Sequence, residues 1–236
     1  IIECESGVLL SEVLDVTVPQ GYFLWVTPGT KFISVGGAIA SDVHGKNHHT
    51  DGCFSESLIE FKLMNENAEV ITCSRTENSD KFWATVGGMG LTGIILSAKF
   101  KLKNIETAYI RQESIKAENL DEIFKLFEET EHWTYSVAWI DCLQKGKNLG
   151  RSILTIGEFA LKAELPSQLQ KNPLRLKKKF MPTVPFYFPG FVLNALTVKI
   201  FNWLYYGKQR KKVVKNFVDY ETFFYPLDVI NDWNKI

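Results

Sequence analysis

The sequence has no Cys-x-x-Cys pair, no internal repeat and no excess of charge of either sign. Each absence removes a class of protein. The four cysteines, Cys4, Cys53, Cys73 and Cys142, are scattered along the chain, which argues against a metal or redox pair and against a disulfide framework. The expectation is four reduced, buried thiols in an intracellular protein. Lys plus Arg and Asp plus Glu each total 27, so global charge gives no reason to expect nucleic acid as a partner. A dinucleotide fingerprint in its proper setting is also missing. Gly88-Met89-Gly90-Leu91-Thr92-Gly93 matches G-x-G-x-x-G, but a predicted helix precedes it and a predicted strand follows, the reverse of the required order. It reads as a glycine turn that lets backbone approach something flat or bulky. The chain does not begin with Met, and its last residues, NDWNKI, stop without a terminating element; the expectation is a piece of a longer polypeptide. The opening IIECESGVLL has the pattern of a strand and turn, not of a secretory leader.

What is present is an ordinary globular composition. Apolar residues make up 45% and charged residues 23% of 236, enough to bury a core. Residues 11–14 suggest a short helix, followed by the strand-like VTVP. Ile59, Phe61 and Leu63 alternate with Glu60 and Lys62, the period of a half-buried strand. A turn at 65–68 leads into Val70-Ile71-Thr72, which predicts a hairpin. Ser79 or Asp80 is placed to cap a helix running to Thr85 and stopped by Gly87-Gly88. Residues 94–102 predict a long strand. Composition shifts after about residue 104. Strands are expected at 107–116, 135–142 and 152–159, with an amphipathic helix at 119–131 carrying Leu120, Ile123, Phe124 and Phe127 on one face. Strands, one helix, then strands, without β-α-β alternation, predict an α+β fold.

Residues 161–215 differ in character. A basic run at 171–179 precedes an apolar, aromatic run at 186–206, and a second basic run follows at 208–215. The apolar run is 21 residues long, enough to span a bilayer, but Pro189, Gly190, Asn194, Lys199 and Asn202 interrupt it, and polar groups in hydrocarbon are costly. Two readings stay open. One is an interfacial segment, with aromatics in a membrane surface and Lys208, Arg210, Lys211 and Lys212 at anionic headgroups. The other is a cap-domain helix packed on its own core with a solvated basic tail.

The chemistry concentrates in residues 28–49. Val35-Gly36-Gly37-Ala38-Ile39-Ala40 is a small-residue run that either lets a ligand lie against backbone amides or serves tight strand packing. His44-Gly45-Lys46-Asn47-His48-His49 holds three of the four histidines. A metal is not expected: adjacent His48 and His49 on a strand would face opposite ways, and Asp42 and Asp51 stand isolated. A histidine and a lysine after a glycine-lined pocket suit an anionic substrate or proton movement.

The phrases Pro28-Gly29-Thr30, VGGAIASDVHGKNHH (35–49) and FWATVGGMGLTGII (82–95), with YSVAWID and FYPLDVINDWN further on, resemble the FAD-linked oxidases of the vanillyl-alcohol-oxidase type, which carry a PCMH-type FAD-binding domain. Within them the chain is similar to the branch that oxidises polyprenyl-phosphate pentoses as half of an epimerisation. The resemblance is strong over 25–100 and weak over 160–215. It implies that residues 1–104 form the second FAD subdomain and 105–236 part of an antiparallel-sheet substrate (cap) domain. The family's glycine-rich pyrophosphate loop, and its returning strands with a catalytic lysine, have no counterpart in this sequence. Position by position, the resemblance implies FAD contacts at Gly29, Ser34, Val35, Gly36, Gly37, Ser41, Asp42, Val43 and His44, with Ile95 near the adenine end. It makes His44 and Lys46 the catalytic pair. It places Lys46, Val137 and Trp139 in the substrate site, Val137 standing where relatives carry serine. It further implies non-covalent FAD, hydride transfer from C2 of a polyprenyl-phosphate sugar, a partner short-chain reductase, a role in cell-wall biosynthesis, and a cytoplasmic protein peripheral at the inner membrane. Oxidation of another alcohol or an aldonolactone, and a non-catalytic fragment without flavin, stay open beside it.

Overall fold

The computed structural model describes residues 1–176 and 180–235. In chain order its elements are β1 (Ile2–Glu5), α1 (Leu10–Thr17), β2 (Tyr22–Leu24), α2 (Val35–Ala40), α3 (His48–Asp51), β3 (Leu58–Met64), β4 (Val70–Ser74), α4 (Ser79–Thr85), β5 (Ile94–Phe100), β6 (Leu102–Asn104), β7 (Tyr109–Ala117), α5 (Leu120–Glu129), β8 (Tyr135–Ile140), β9 (Ser152–Phe159), α6 (Ser167–Gln170), α7 (Ala195–Lys208), β10 (Val213–Asp219) and α8 (Tyr220–Phe224). The fold is mixed α and antiparallel β. It divides into two compact units: Ile1–Ala108 with Leu161–Leu176, and Tyr109–Ala160 with the chain beyond 176.

The first unit is built on a four-stranded sheet in the order β1-β5-β3-β4, every pairing antiparallel. The predicted hairpin is present, with Phe61 opposite Cys73 and Met64 opposite Val70. Phe61 and Leu63 are buried and Lys62 is exposed, the alternation that period-2 side chains produce. Phe82 of α4 stacks on Phe61 at 5.3 Å. On α1, Leu10, Val13 and Leu14 are buried, the i, i+3, i+4 stripe of a core-facing helix. β2 and β6 form a separate two-stranded ribbon. The VTVP stretch is not a strand: Val16 and Thr17 end α1, and Val18–Gln20 closes a 3-10 turn, since Pro19 fixes a helical φ and needs no amide donor in a first turn.

The second unit is a sheet in the order β10-β7-β9-β8, again antiparallel. Asn119 caps α5, its Oδ1 accepting from the Glu122 amide at 2.9 Å. Ile123 packs on Ile115, Ala117, Leu154 and Ile156, with Leu126 and Phe127 beside it. Phe124 is not on that face; it is 59% exposed. Near the other face, Phe223 leaves no room for a side chain at Gly157, and Phe224 meets the Tyr135 ring edge-on at 4.9 Å. Asn202 of α7 donates to Asp141 at 2.6 Å, and Tyr205 meets Trp139 at 4.7 Å. Of the 186–206 run only the part from Ala195 onward is helical. Among the described residues no helix is long and apolar enough to cross a membrane. The second basic run holds β10, which pairs with β7 from Val213↔Ile115 to Asp219↔Tyr109. Lys177, Lys178 and Lys179 of the first basic run lie outside the described residues. The cysteines are unpaired, but only Cys73 is buried and Cys142 is exposed, so the expectation of four buried thiols is corrected.

Candidate functional site

The segment that carries the chemistry runs along one part of the first unit. After β2 the chain passes buried Val26 and Thr27 and turns at Gly29, where an added Cβ would meet nothing within 4 Å. Ser34 then caps α2, its Oγ accepting from the Gly37 amide at 3.1 Å. The two glycines of α2 have different surroundings. Gly36 is pressed on Ser6: its amide donates to the Ser6 carbonyl at 2.8 Å, and a Cβ would stand 3.0 Å from Ser6 Cβ. Gly37 is exposed. Val35 is fully buried. Packing thus accounts for Gly36 and capping for Gly37, whose amide and carbonyl are both bonded, while Gly29 leaves backbone open.

The end of α2 is joined to the glycine turn at 87–93. Gly87 donates to Ile39 O at 3.0 Å and Met89 to Ala40 O at 2.8 Å. Gly87 and Gly90 have φ of 69° and 78°, the left-handed region that glycine adopts without strain. Gly90 has open space around it, and Met89 and Leu91 are 69% and 90% exposed. Ser41 is exposed beside them, its Oγ 3.9 Å from the Met89 sulfur. Asp42 is committed to the fold: its carboxylate accepts from the Ser55 amide at 2.9 Å and the Ser55 hydroxyl at 3.0 Å. The Val43 amide donates to Ala38 O at 3.1 Å.

His44 bridges to Cys53 and is exposed, its ring 5.2 Å from that of His48. His48 and His49 open a short helical turn, α3, not a strand, so the opposite-face argument does not apply to them; both are exposed. Lys46 is half-buried. Burial disfavours its charged form and lowers its pKa to about 8. Asn47, Asp51, Lys103 and Trp25 also converge here and carry no local sequence signal. A cleft of about 430 Å³ beside them is lined by Trp25, Thr50, Asp51, Gly52, Glu56 and Lys101.

Gly29, Ser34 to Gly37 and Ser41 to Lys46 all belong to the first unit. Ile95 is separate: it is 8% exposed within β5, opposite Leu63. Val137 and Trp139 belong to the second unit, on one face of β8. Open glycine backbone at Gly29 and Gly90, next to exposed Met89 and Leu91, fits a flat, partly apolar cofactor whose polar edges meet backbone amides.

A family model described as an FAD binding domain matches residues 1–74. Over 241 aligned residues the chain is 37% identical to a decaprenylphosphoryl-β-D-ribose oxidase of Mycolicibacterium smegmatis, covering 100% of this chain and 52% of that protein. It is 28% identical to cytokinin dehydrogenase 3 of Arabidopsis thaliana over 43% of this chain and 20% of the relative. It is 26% identical to a D-arabinono-1,4-lactone oxidase of Yarrowia lipolytica over 50% of this chain and 22% of the relative. The chain spans about half the length of the first of these. With the glycine-lined stretch lying largely inside the matched region, FAD is the cofactor, and the chain is similar over its whole length to a protein named as an oxidase.

Proposed function

We propose that this chain is part of an FAD-dependent oxidase that converts a hydroxyl of a polyprenyl-phosphate pentose to a ketone, as half of an epimerisation completed by a separate reductase. The observation that supports it most is the His44–Lys46 segment, set directly after the open glycine stretch of a chain 37% identical to a decaprenylphosphoryl-ribose oxidase. FAD, when bound, supplies the hydride acceptor. Gly29, Ser34 to Gly37 and Ser41 to His44 would lie along it, with Ile95 and the 86–93 turn as apolar support. His44 would take or relay the hydroxyl proton. The Lys46 ammonium would hold an anionic group of the substrate. Oxidation of an aldonolactone is the second reading, favoured by the match to a lactone oxidase.

Anaerobic bleaching of the flavin band near ~450 nm in the full-length protein separates the two. Bleaching by a polyprenyl-phosphate pentose and not by an aldonolactone is the expected result; the opposite pattern discards the first reading. The pH dependence is specific. Lys46 is cationic below about 8 and neutral above it, whereas an ordinary lysine keeps its charge to about 10.4. KM for the phosphate-bearing substrate is therefore expected to rise as pH passes 8. Lys46→Arg, charged throughout, is expected to remove that rise. A flat KM profile in the unsubstituted protein rules out this role for Lys46.

The second unit, taken by itself, supports a membrane surface as partner. Phe180, Phe191, Leu196 and Trp203 are each at least 66% exposed. Lys199, Lys208, Arg210 and Lys211 are exposed among or just after them. Aromatic and apolar groups beside cations suit an anionic lipid interface, where a lipid-linked substrate resides. Full-length protein is expected to co-sediment with anionic vesicles. Reversing Lys208, Arg210 and Lys211 to Glu is expected to weaken this about a hundredfold, at about 1 kcal/mol per cation. Equal binding by the reversed variant discards the surface.

A further inference from the structure

Asn47 follows Lys46 and takes no part in the chemistry above. It is 1% exposed. Its Nδ2 donates to the Trp25 carbonyl at 2.9 Å and to the Asp51 carboxylate at 2.7 Å. Both partners only accept, so the amide has one orientation; turned over, its oxygen would face two other oxygens. Asp51 is held in turn by Lys103 Nζ at 3.1 Å, and that ammonium lies 5.6 Å from the centre of the Trp25 ring. The remaining atom, Asn47 Oδ1, is buried and has no hydrogen-bond partner. An unpaired buried acceptor is unfavourable, so stability alone is a poor reason for an asparagine here.

Two residues earlier the same backbone is pinned again. A Cβ at Gly45 would run into the Thr27 carbonyl and stand 3.1 Å from Asn47 Oδ1. Gly45 is therefore seated on Thr27 and Asn47 on Trp25. Lys46 is the residue between the two fixed points.

We propose that Asn47 is a positioning residue: backed by Asp51 and Lys103, it clamps the 45–47 backbone onto residues 25–27 and so keeps Lys46 half-buried at the end of the glycine stretch. The functional value of this clamp rests on Lys46 being the substrate-contacting cation; the clamp itself does not.

The test uses full-length protein with FAD bound. Lys46 reactivity toward limiting acetic anhydride is followed across the alkaline range by peptide mass spectrometry, alongside the thermal midpoint and flavin absorbance. In the unsubstituted protein, half-maximal reactivity is expected near pH 8. Asn47→Ala is expected to move that midpoint up by one pH unit or more, toward the ordinary lysine value, making Lys46 at least about fivefold less reactive at pH 8. Asp51→Asn, which keeps an acceptor for Asn47, is expected to move it less. A lower thermal midpoint with an unmoved Lys46 curve overturns the proposal, because a merely structural asparagine would do only that. If Asn47→Ala does not fold, Lys103→Met takes its place, with an upward move supporting the clamp and an unmoved curve overturning it. If the unsubstituted protein fails to oxidise a polyprenyl-phosphate pentose while the Lys46 curve still moves, the functional reading falls and the clamp stands.

Discussion

Asp141→Ala is expected to destabilise the second unit by about 3–5 kcal/mol, the usual effect of removing one partner from a buried ion pair. Asp141 is fully buried. Its Oδ2 accepts from Arg151 Nε at 3.0 Å and Nη2 at 2.7 Å, and from Gln144 at 3.1 Å. Its Oδ1 accepts from Asn202 at 2.6 Å and the Leu143 amide at 3.2 Å. Alanine would strand the mostly buried Arg151 guanidinium and untie α7 from the end of β8. Burial alone would raise the Asp141 carboxyl pKa; the hydrogen bonds from Arg151, Leu143, Asn202 and Gln144 outweigh it and hold it below the ordinary value. A carboxyl lower in the folded state stabilises above its unfolded pKa of about 3.9, and that contribution disappears as pH falls through the folded value. Urea unfolding followed by near-ultraviolet circular dichroism at neutral and acid pH measures both effects. A loss below about 1 kcal/mol, the scale of an exposed pair, sinks the prediction.

Gly93→Ala is expected to cost the first unit about 3 kcal/mol or more, from backbone strain and overpacking together. Gly93 has φ of 143°, and a Cβ there would collide with the Met64 carbonyl and lie 3.3 Å from Leu63 Cδ1. It leads directly into β5, which pairs with both β1 and β3, so displacement there spreads across the sheet. Gly90→Ala is the matched control. Gly90 also has a positive φ, 78°, but nothing lies within 4 Å; only the strain remains, about 1 kcal/mol. Equal urea midpoints for the two variants would mean that the collision is relieved at no cost.

Elements with a local period are readable from the sequence. The β3–β4 hairpin announces itself through alternation and a polar turn, and α5 through Asn119 and its apolar stripe. Two elements are hidden for different reasons. α2 contains adjacent glycines, each unfavourable in a helix by about 1 kcal/mol. It forms because Ser34 caps it and because Val35, Ala38 and Ile39 are fully buried; tertiary burial overrides propensity. β10 reads as part of a basic run because its partner β7 lies about a hundred residues earlier. Lys215 meets Glu113 at 2.7 Å and Lys212 meets Glu122 at 2.6 Å, so charges that look solvated in sequence are paired across the sheet and its helix. The site divides in the same way. His44 and Lys46 stand out because residue type and neighbours suggest chemistry. Asn47 does not, because its burial depends on Trp25, Asp51 and Lys103, which no local pattern links to it.

The return of Leu161–Leu176 to the first unit has a consequence for how the chain is made. Ala108 donates to Pro173 O at 2.8 Å, the Lys162 amide donates to Glu106 at 3.0 Å, and Leu165 is 3% exposed. Synthesis delivers residues in order, and domains fold as units when their parts are present. The first unit cannot seal at residue 108; it waits for residue 176. By then β7, β8 and β9 have already left the ribosome, while β10 has not. The first unit therefore closes only after the β7, β8 and β9 strands of the second have been made, and a nascent chain paused before residue 161 exposes the surface that Leu165 and Pro173 cover.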